Sequence, residues 1–172
     1  LSPYTIKLRA LMRYRRIPHV WICRFPQFFS ETKNLKPGLM PTVQYPEGTY
    51  HTDSTIICED LEIRYPNLRS VYPDDPVMKF LAILIEDFCD EWLSKIIFHY
   101  RFSYDQDRAF GPRWVMDDAY PGLSSEELDE HFEMVLERQT NRMELVGCTP
   151  ENAGLLEKGF KEITRLMEGF VS

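Results

Sequence analysis

The sequence has no CxxC pair. Its four cysteines, Cys23, Cys58, Cys89 and Cys148, stand far apart. That spacing argues against a zinc ribbon or a disulfide frame and for small buried thiols in a reducing compartment such as the cytoplasm. A long apolar run is also missing. The longest, Phe80 to Ile85, is broken by Glu86 and Asp87, far short of a membrane span. His99 has no second histidine, cysteine or carboxylate beside it at metal-ligand spacing, and His51 and His131 are equally unsupported, so no metal is expected. Basic residues are in deficit: 20 Lys and Arg against 27 Asp and Glu give a net charge of -7. A nucleic-acid or anionic-membrane surface needs a basic face, and this balance argues against one. There is no internal repeat and no low-complexity segment.

What is present suffices for a folded core. With 172 residues, 44% of them hydrophobic, the chain can form one domain or two small ones. Ser2-Pro3-Tyr4-Thr5 opens a helix: Ser2 suits the N-cap and Pro3 the first helical position. Tyr4, Leu8, Leu11 and Met12 share one face of it. Lys7, Arg9, Arg13, Arg15 and Arg16 form the rest, which reads as a solvated face whose cations complement the helix dipole. Pro18 stops the helix, and His19 to Arg24 reads as a strand. After an irregular stretch with a helical turn near Phe28 to Lys33, strands near Thr42 to Tyr45 and Tyr50 to Thr52 form a hairpin. A helix runs from Asp53 to Tyr65.

The proline-rich run at 67–76 reads as a linker, dividing a domain at 1–66 from a helical one at 77–172. In the second domain a long amphipathic helix is expected from Val77 to about Tyr100. Phe102 to Leu123 reads as irregular. Ser124 and Glu127 are spaced as a capping box for a helix to about Val146, and Thr149-Pro150-Glu151 starts the last helix.

One stretch carries the most chemistry. Met40-Pro41-Thr42-Val43 is followed ten residues later by Asp53-Ser54. A proline entering a strand loses a ladder donor and suits an edge or a special turn. Asp53 or Ser54 can cap the helix beginning near Thr55. Backbone groups, a hydroxyl and a helix N-terminus would together face an extended, charged, peptide-like ligand.

The order helix, strand, hairpin, helix, then helices, with Ser2-Pro3-Tyr4-Thr5 where glutaredoxins have Cys-Pro-Tyr-Cys, resembles a glutathione transferase. Ser2-Pro3-Tyr4 is similar to the Ser-Pro-Phe of plant tau-type members and the Cys-Pro-Phe or Cys-Pro-Tyr of omega-type members. The segment Ile85 to Trp92, with His99-Tyr100-Arg101 beyond it, looks like a poorly characterised transferase-like branch. The resemblance implies an α/β thioredoxin-like domain followed by an all-α helical domain. It also implies a first strand before Ser2 and a further helix after Ser172, so the sequence is expected to be part of a longer chain.

The resemblance further implies glutathione as substrate, no metal, and conjugation of the thiolate to a hydrophobic electrophilic small molecule. Ser2 would donate its hydroxyl to the sulfur; the alternative is that it merely caps the helix. Tyr4 is a second hydroxyl in reach of the site, or a packed aromatic. Met40, before Pro41 and Thr42, would pair through its backbone with the cysteinyl part like an added strand. Asp53 would take the γ-glutamyl ammonium and Ser54 its carboxylate, against the alternative of a simple helix cap. Relatives carry Glu or Gln at the Asp53 position, and the nearest base to serve the glycyl carboxylate is Lys36. Tyr4, Trp92 and His99 would line a second-substrate pocket, or belong to the core. Serine at position 2 and threonine at position 5 exclude a mixed disulfide there, which disfavours a glutaredoxin-type reductase. A homodimer is implied as well. The rival reading is a non-catalytic interaction or assembly module on the same fold.

Overall fold

The computed structural model describes residues 2–22, 26–36, 38–119 and 122–171. The backbone divides into two compact units, Leu1–Ile85 and Glu86–Ser172. The charge divides with it. Unit 1 carries 11 basic and 8 acidic residues, a net of +3, and unit 2 carries 9 and 19, a net of -10.

Unit 1 opens with α1 (Pro3–Tyr14), with Ser2 in extended conformation at its N-cap. The helix ends before Pro18 is reached. Arg16 takes φ 58°, and Ile17 N–H bonds back to Met12 O at 2.8 Å while Arg16 N–H bonds to Arg13 O at 3.2 Å. This left-handed terminus satisfies the last carbonyls of α1. α2 (Pro26–Thr32) follows. β1 (Thr42–Gln44) and β2 (Tyr50–Thr52) pair antiparallel, with Thr42 opposite Thr52 and Gln44 opposite Tyr50. Gly48, at φ 88°, turns the hairpin, and Tyr45 N–H closes it on Thr49 O at 2.9 Å. α3 (Ser54–Arg64) then packs Ile57, Cys58 and Leu61 against Leu8 and Met12 of α1, Ile17 and Tyr45. Each fully buried aliphatic side chain there contributes about 2 kcal/mol. Unit 1 thus shows a short two-stranded sheet with helices on it, the thioredoxin-like pattern.

The strand expected over His19 to Arg24 is corrected for its described part. Residues 19–22 form no ladder, and Val20 and Ile22 are exposed. A β-prone run becomes a strand only where a partner pairs with it. Cys23 and Arg24 lie outside the described residues.

α4 (Pro76–Asp87) is apolar on nearly every side and has no buried residue. The single long helix expected from Val77 is interrupted. A π turn at Phe88–Trp92 and a 3₁₀ turn at Leu93–Lys95 separate α4 from α5 (Ile96–Phe102). Residues read as irregular form α6 (Asp105–Ala119), which holds the buried Pro112 within it. The lost backbone bond is outweighed by packing against α5 and α7, where Met116 is only 1% exposed. α7 (Ser125–Thr140) starts at a complete capping box: Ser124 Oγ accepts from Glu127 N–H at 3.3 Å, and the Glu127 carboxylate accepts from Ser124 N–H at 2.9 Å. It ends earlier than Val146, in a series of turns closing at Gly147 with φ 76°. A 3₁₀ turn at Pro150–Asn152 leads into α8 (Ala153–Val171). No helix of the described residues is long and apolar enough to cross a membrane.

Candidate functional site

All but two of the expected site residues fall in unit 1. The hairpin register sets Thr42 opposite Thr52, so the next positions outward, Pro41 and Asp53, are neighbours at the open end of the sheet. The Met40–Pro41 peptide is cis. Neither backbone group of Met40 forms a hydrogen bond among the described residues. Pro41 itself is buried. The Thr42 hydroxyl is used locally, donating to Leu39 O at 3.1 Å.

Asp53 holds the turn into α3. Its φ of 77° is rare for a residue with a side chain, and such conformations gather at functional turns. Its Oδ1 accepts from Thr55 N–H at 3.0 Å and from Ile56 N–H at 3.5 Å. The carboxylate is therefore the N-cap of α3, and its Oδ2 makes no hydrogen bond among the described residues. Ser54 does not share the capping. It is 5% exposed, and its hydroxyl has no hydrogen-bond partner among the described residues. The oxygen is not fully enclosed, so solvent can satisfy it.

Ser2 is equally open. It occupies the N-cap of α1, yet its side chain makes no cap hydrogen bond; among the described residues only its carbonyl is engaged, with Thr5 and Ile6 N–H at 3.1 and 3.2 Å. Thr5, where a glutaredoxin has its second cysteine, has its hydroxyl buried and without a hydrogen-bond partner among the described residues. Tyr4 is half-buried.

α1 and α3 are joined near these termini by a contact that the sequence did not signal. Lys7 Nζ donates to Thr55 Oγ1 at 3.4 Å. From the sequence, Lys7 belonged to a run of cations on a solvated face. Only the approach of α3 turns this one toward the Asp53-Ser54 corner. Lys36 is exposed.

The remaining two residues lie in unit 2. Trp92 is 65% exposed, with Lys95 Nζ 4.6 Å from its ring centre. His99 is enclosed, at 3% exposure. Its Nε2 lies 3.3 Å from Glu157 Oε1 and its Nδ1 3.1 Å from Ser103 Oγ. Tyr104 O–H donates to the same Glu157 oxygen at 2.6 Å, and this bond, with His99 second, holds the carboxyl below its ordinary range. With both ring nitrogens occupied, His99 is packed as a core histidine tying α5 to α8.

Two of the described thiols, Cys89 and Cys148, are poor candidates for a substitute nucleophile. Burial pushes Cys89 up, helped by Glu86 and Asp90, and burial likewise pushes up Cys148, whose Sγ sits 3.2 Å from Lys95 O. A raised thiol is a poor nucleophile. Among the described residues, no group of histidine, cysteine and carboxylate side chains is arranged to hold a metal ion.

Residues 1–64 match the family model described as glutathione S-transferase, N-terminal domain. No curated protein and no solved structure matches the chain. The match on unit 1, followed by the helical unit 2, gives the chain a glutathione S-transferase-like architecture, a thioredoxin-like part and then a helical part.

Proposed function

We propose that this glutathione S-transferase-like chain binds glutathione on unit 1 and conjugates its thiolate to a hydrophobic electrophilic small molecule. One observation carries the reading. The Ser2 hydroxyl, the Met40 backbone and the Ser54 hydroxyl are all left without hydrogen bonds among the described residues, in the domain that matches the family model. Met40 N–H and C=O suit the cysteinyl backbone of the ligand, as a strand added at an edge. Ser54 and the α3 N-terminus suit the γ-glutamyl carboxylate, and the free Oδ2 of Asp53 suits its ammonium. Ser2 then donates to the sulfur. A free thiol ionises near pH 8.5, and a positioned donor at a helix N-terminus lowers that value. Each unit of lowering corresponds to about 1.4 kcal/mol of preference for the thiolate. The chemistry suits the cytoplasm, where glutathione is kept reduced.

The test is calorimetry with glutathione on the full-length protein, followed by a conjugation assay with an aryl halide. Binding at millimolar ligand or tighter supports the reading. No binding at that concentration overturns it.

A non-catalytic assembly module is the second reading, and one observation favours it. α4 leaves Val77, Phe80 and Leu84 at least half exposed. Exposed apolar surface of this kind marks contact with a protein partner, here a second copy forming a homodimer. Phe80→Glu is expected to shift a dimer to monomer in analytical ultracentrifugation. An unchanged sedimentation coefficient would remove α4 from any such contact.

A further inference from the structure

Unit 2 holds a chain of hydrogen bonds that reaches the surface at a serine. Ser103 stands between α5 and α6 and is exposed, whereas His99 behind it is enclosed. A hydroxyl on a helix commonly bonds the carbonyl four residues earlier, as Thr32, Thr140 and Thr164 do at 2.6, 2.9 and 2.8 Å. Ser103 Oγ meets a ring instead, 3.1 Å from His99 Nδ1. The other ring nitrogen, Nε2, lies 3.3 Å from Glu157 Oε1, which the Tyr104 hydroxyl also holds at 2.6 Å. An ionised carboxylate only accepts, so Nε2 carries the proton and Nδ1 is left to accept the Ser103 O–H. Tyr104 N–H, next along the chain from Ser103, makes no hydrogen bond among the described residues. Neither do the N–H groups of Asp105 and Gln106, which open α6.

We propose that Ser103 and His99, with Glu157 behind them, form a second site, a nucleophile and its base, that hydrolyses small neutral carboxylic esters. The roles follow from the order serine, imidazole, carboxylate along the hydrogen bonds. As Ser103 Oγ bonds to the acyl carbon, its proton passes to His99 Nδ1. The free N–H groups beside Ser103 are the donors for the oxyanion that forms. The ester C–O bond then breaks, and the alcohol leaves with the proton from Nδ1. A water attacks the acyl-serine in the same way, giving up a proton to Nδ1, and Ser103 leaves with that proton as the acid is released. Glu157 touches no reacting atom; it is a positioning residue that fixes the tautomer and steadies the imidazolium. Asp105 and Asp107, in the first turn of α6, and the net charge of -10 on unit 2 (9 basic, 19 acidic) disfavour anionic esters. Glutathione takes no part, so the activity is independent of the reading above.

The experiment follows hydrolysis of 4-nitrophenyl acetate by the full-length protein in the absence of glutathione, and labels the same protein with a fluorophosphonate, a reagent for activated serines. Wild type is expected to hydrolyse the ester above the buffer rate and to carry the label on Ser103 in peptide mass mapping. Ser103→Ala is expected to lose the label and about 100-fold of the rate, the scale for a positioned proton transfer, with its melting temperature unchanged. Glu157→Gln can donate to Nε2, which puts the ring proton on Nδ1 and blocks the base. That variant is expected to lower kcat by a similar factor with KM unchanged, and Glu157→Asp to keep part of the rate. Hydrolysis no faster than buffer, a label on another residue, or an undiminished rate in Ser103→Ala overturns the proposal. An unchanged kcat in Glu157→Gln overturns the role given to Glu157.

Discussion

Arg15, at the end of α1, donates from Nη2 to the carbonyl of Tyr65, the C-cap of α3, at 2.8 Å. The same guanidinium donates from Nε to Arg69 O at 2.9 Å and lies 3.3 Å from Glu62 Oε1. Glu62 in turn accepts from Val71 N–H at 3.1 Å. One buried arginine thus ties the end of α1 to the end of α3 and to the segment that leaves it. A planar fork can bond several acceptors at once, which an ammonium cannot do in the same geometry. Arg15→Met removes the cation and strands two carbonyls and a partly buried carboxylate. A loss of about 3 kcal/mol is expected in urea unfolding, with Arg15→Lys in between. A loss under about 1 kcal/mol would show that the contact is incidental.

Ser2 makes a sharper test, because its two roles predict opposite results. An N-cap serine normally contributes about 1 kcal/mol through its side chain. Here that side chain makes no cap bond. Ser2→Ala is therefore expected to leave the melting temperature essentially unchanged. The conjugation rate is expected to fall about 100-fold, the scale for removing one donor from a developing or bound anion. The calorimetric affinity for glutathione should change far less than the rate. A variant that loses stability but keeps its rate would make Ser2 a cap and nothing more.

What the sequence made legible was local. α1, α3, the hairpin and the capping box at Ser124 all rest on signals within a few residues: Ser-Pro at a helix start, Asp-Ser after a strand, Gly48 in a tight turn. What it hid depends on partners far along the chain. Val20 and Ile22 are β-prone yet exposed, since pairing needs a second strand. Phe102 to Leu123 read as irregular, yet α6 runs through Gly111 and Pro112 because Met116 and its neighbours pack on other helices. His99 was one of several residues at helical spacing, and only the approach of Glu157, 58 positions on, separates a buried polar link from a pocket wall. Lys7 is the same lesson at the site, a surface cation until α3 comes alongside.

Asp53 carries two demands at once, a positive φ and a helix cap. Asparagine tolerates positive φ and also caps, so Asp53→Asn is expected to cost little stability. Alanine meets neither demand and should cost about 1–2 kcal/mol in chemical unfolding. Glycine relieves the backbone but loses most of the cap, and should fall between them. An alanine variant as stable as the asparagine one would mean that the turn is held by something other than Asp53.

The last prediction concerns acid. Glu157 is held below the ordinary carboxylate range by the Tyr104 hydroxyl first and His99 second. A carboxyl with a depressed folded value favours the folded state while it is ionised there, because its charged form is better stabilised in the folded than in the unfolded chain. Its contribution is complete above the unfolded value of about 4.3, and is lost as pH falls through the lower folded value. Stability should therefore drop as pH is lowered past that point. Tyr104→Phe removes the largest cause and leaves His99 in place. The variant's melting temperature should thus differ most from wild type near neutral pH, and the two curves should converge in acid. Parallel curves over the whole range would mean that the Tyr104–Glu157 bond does not couple to protonation.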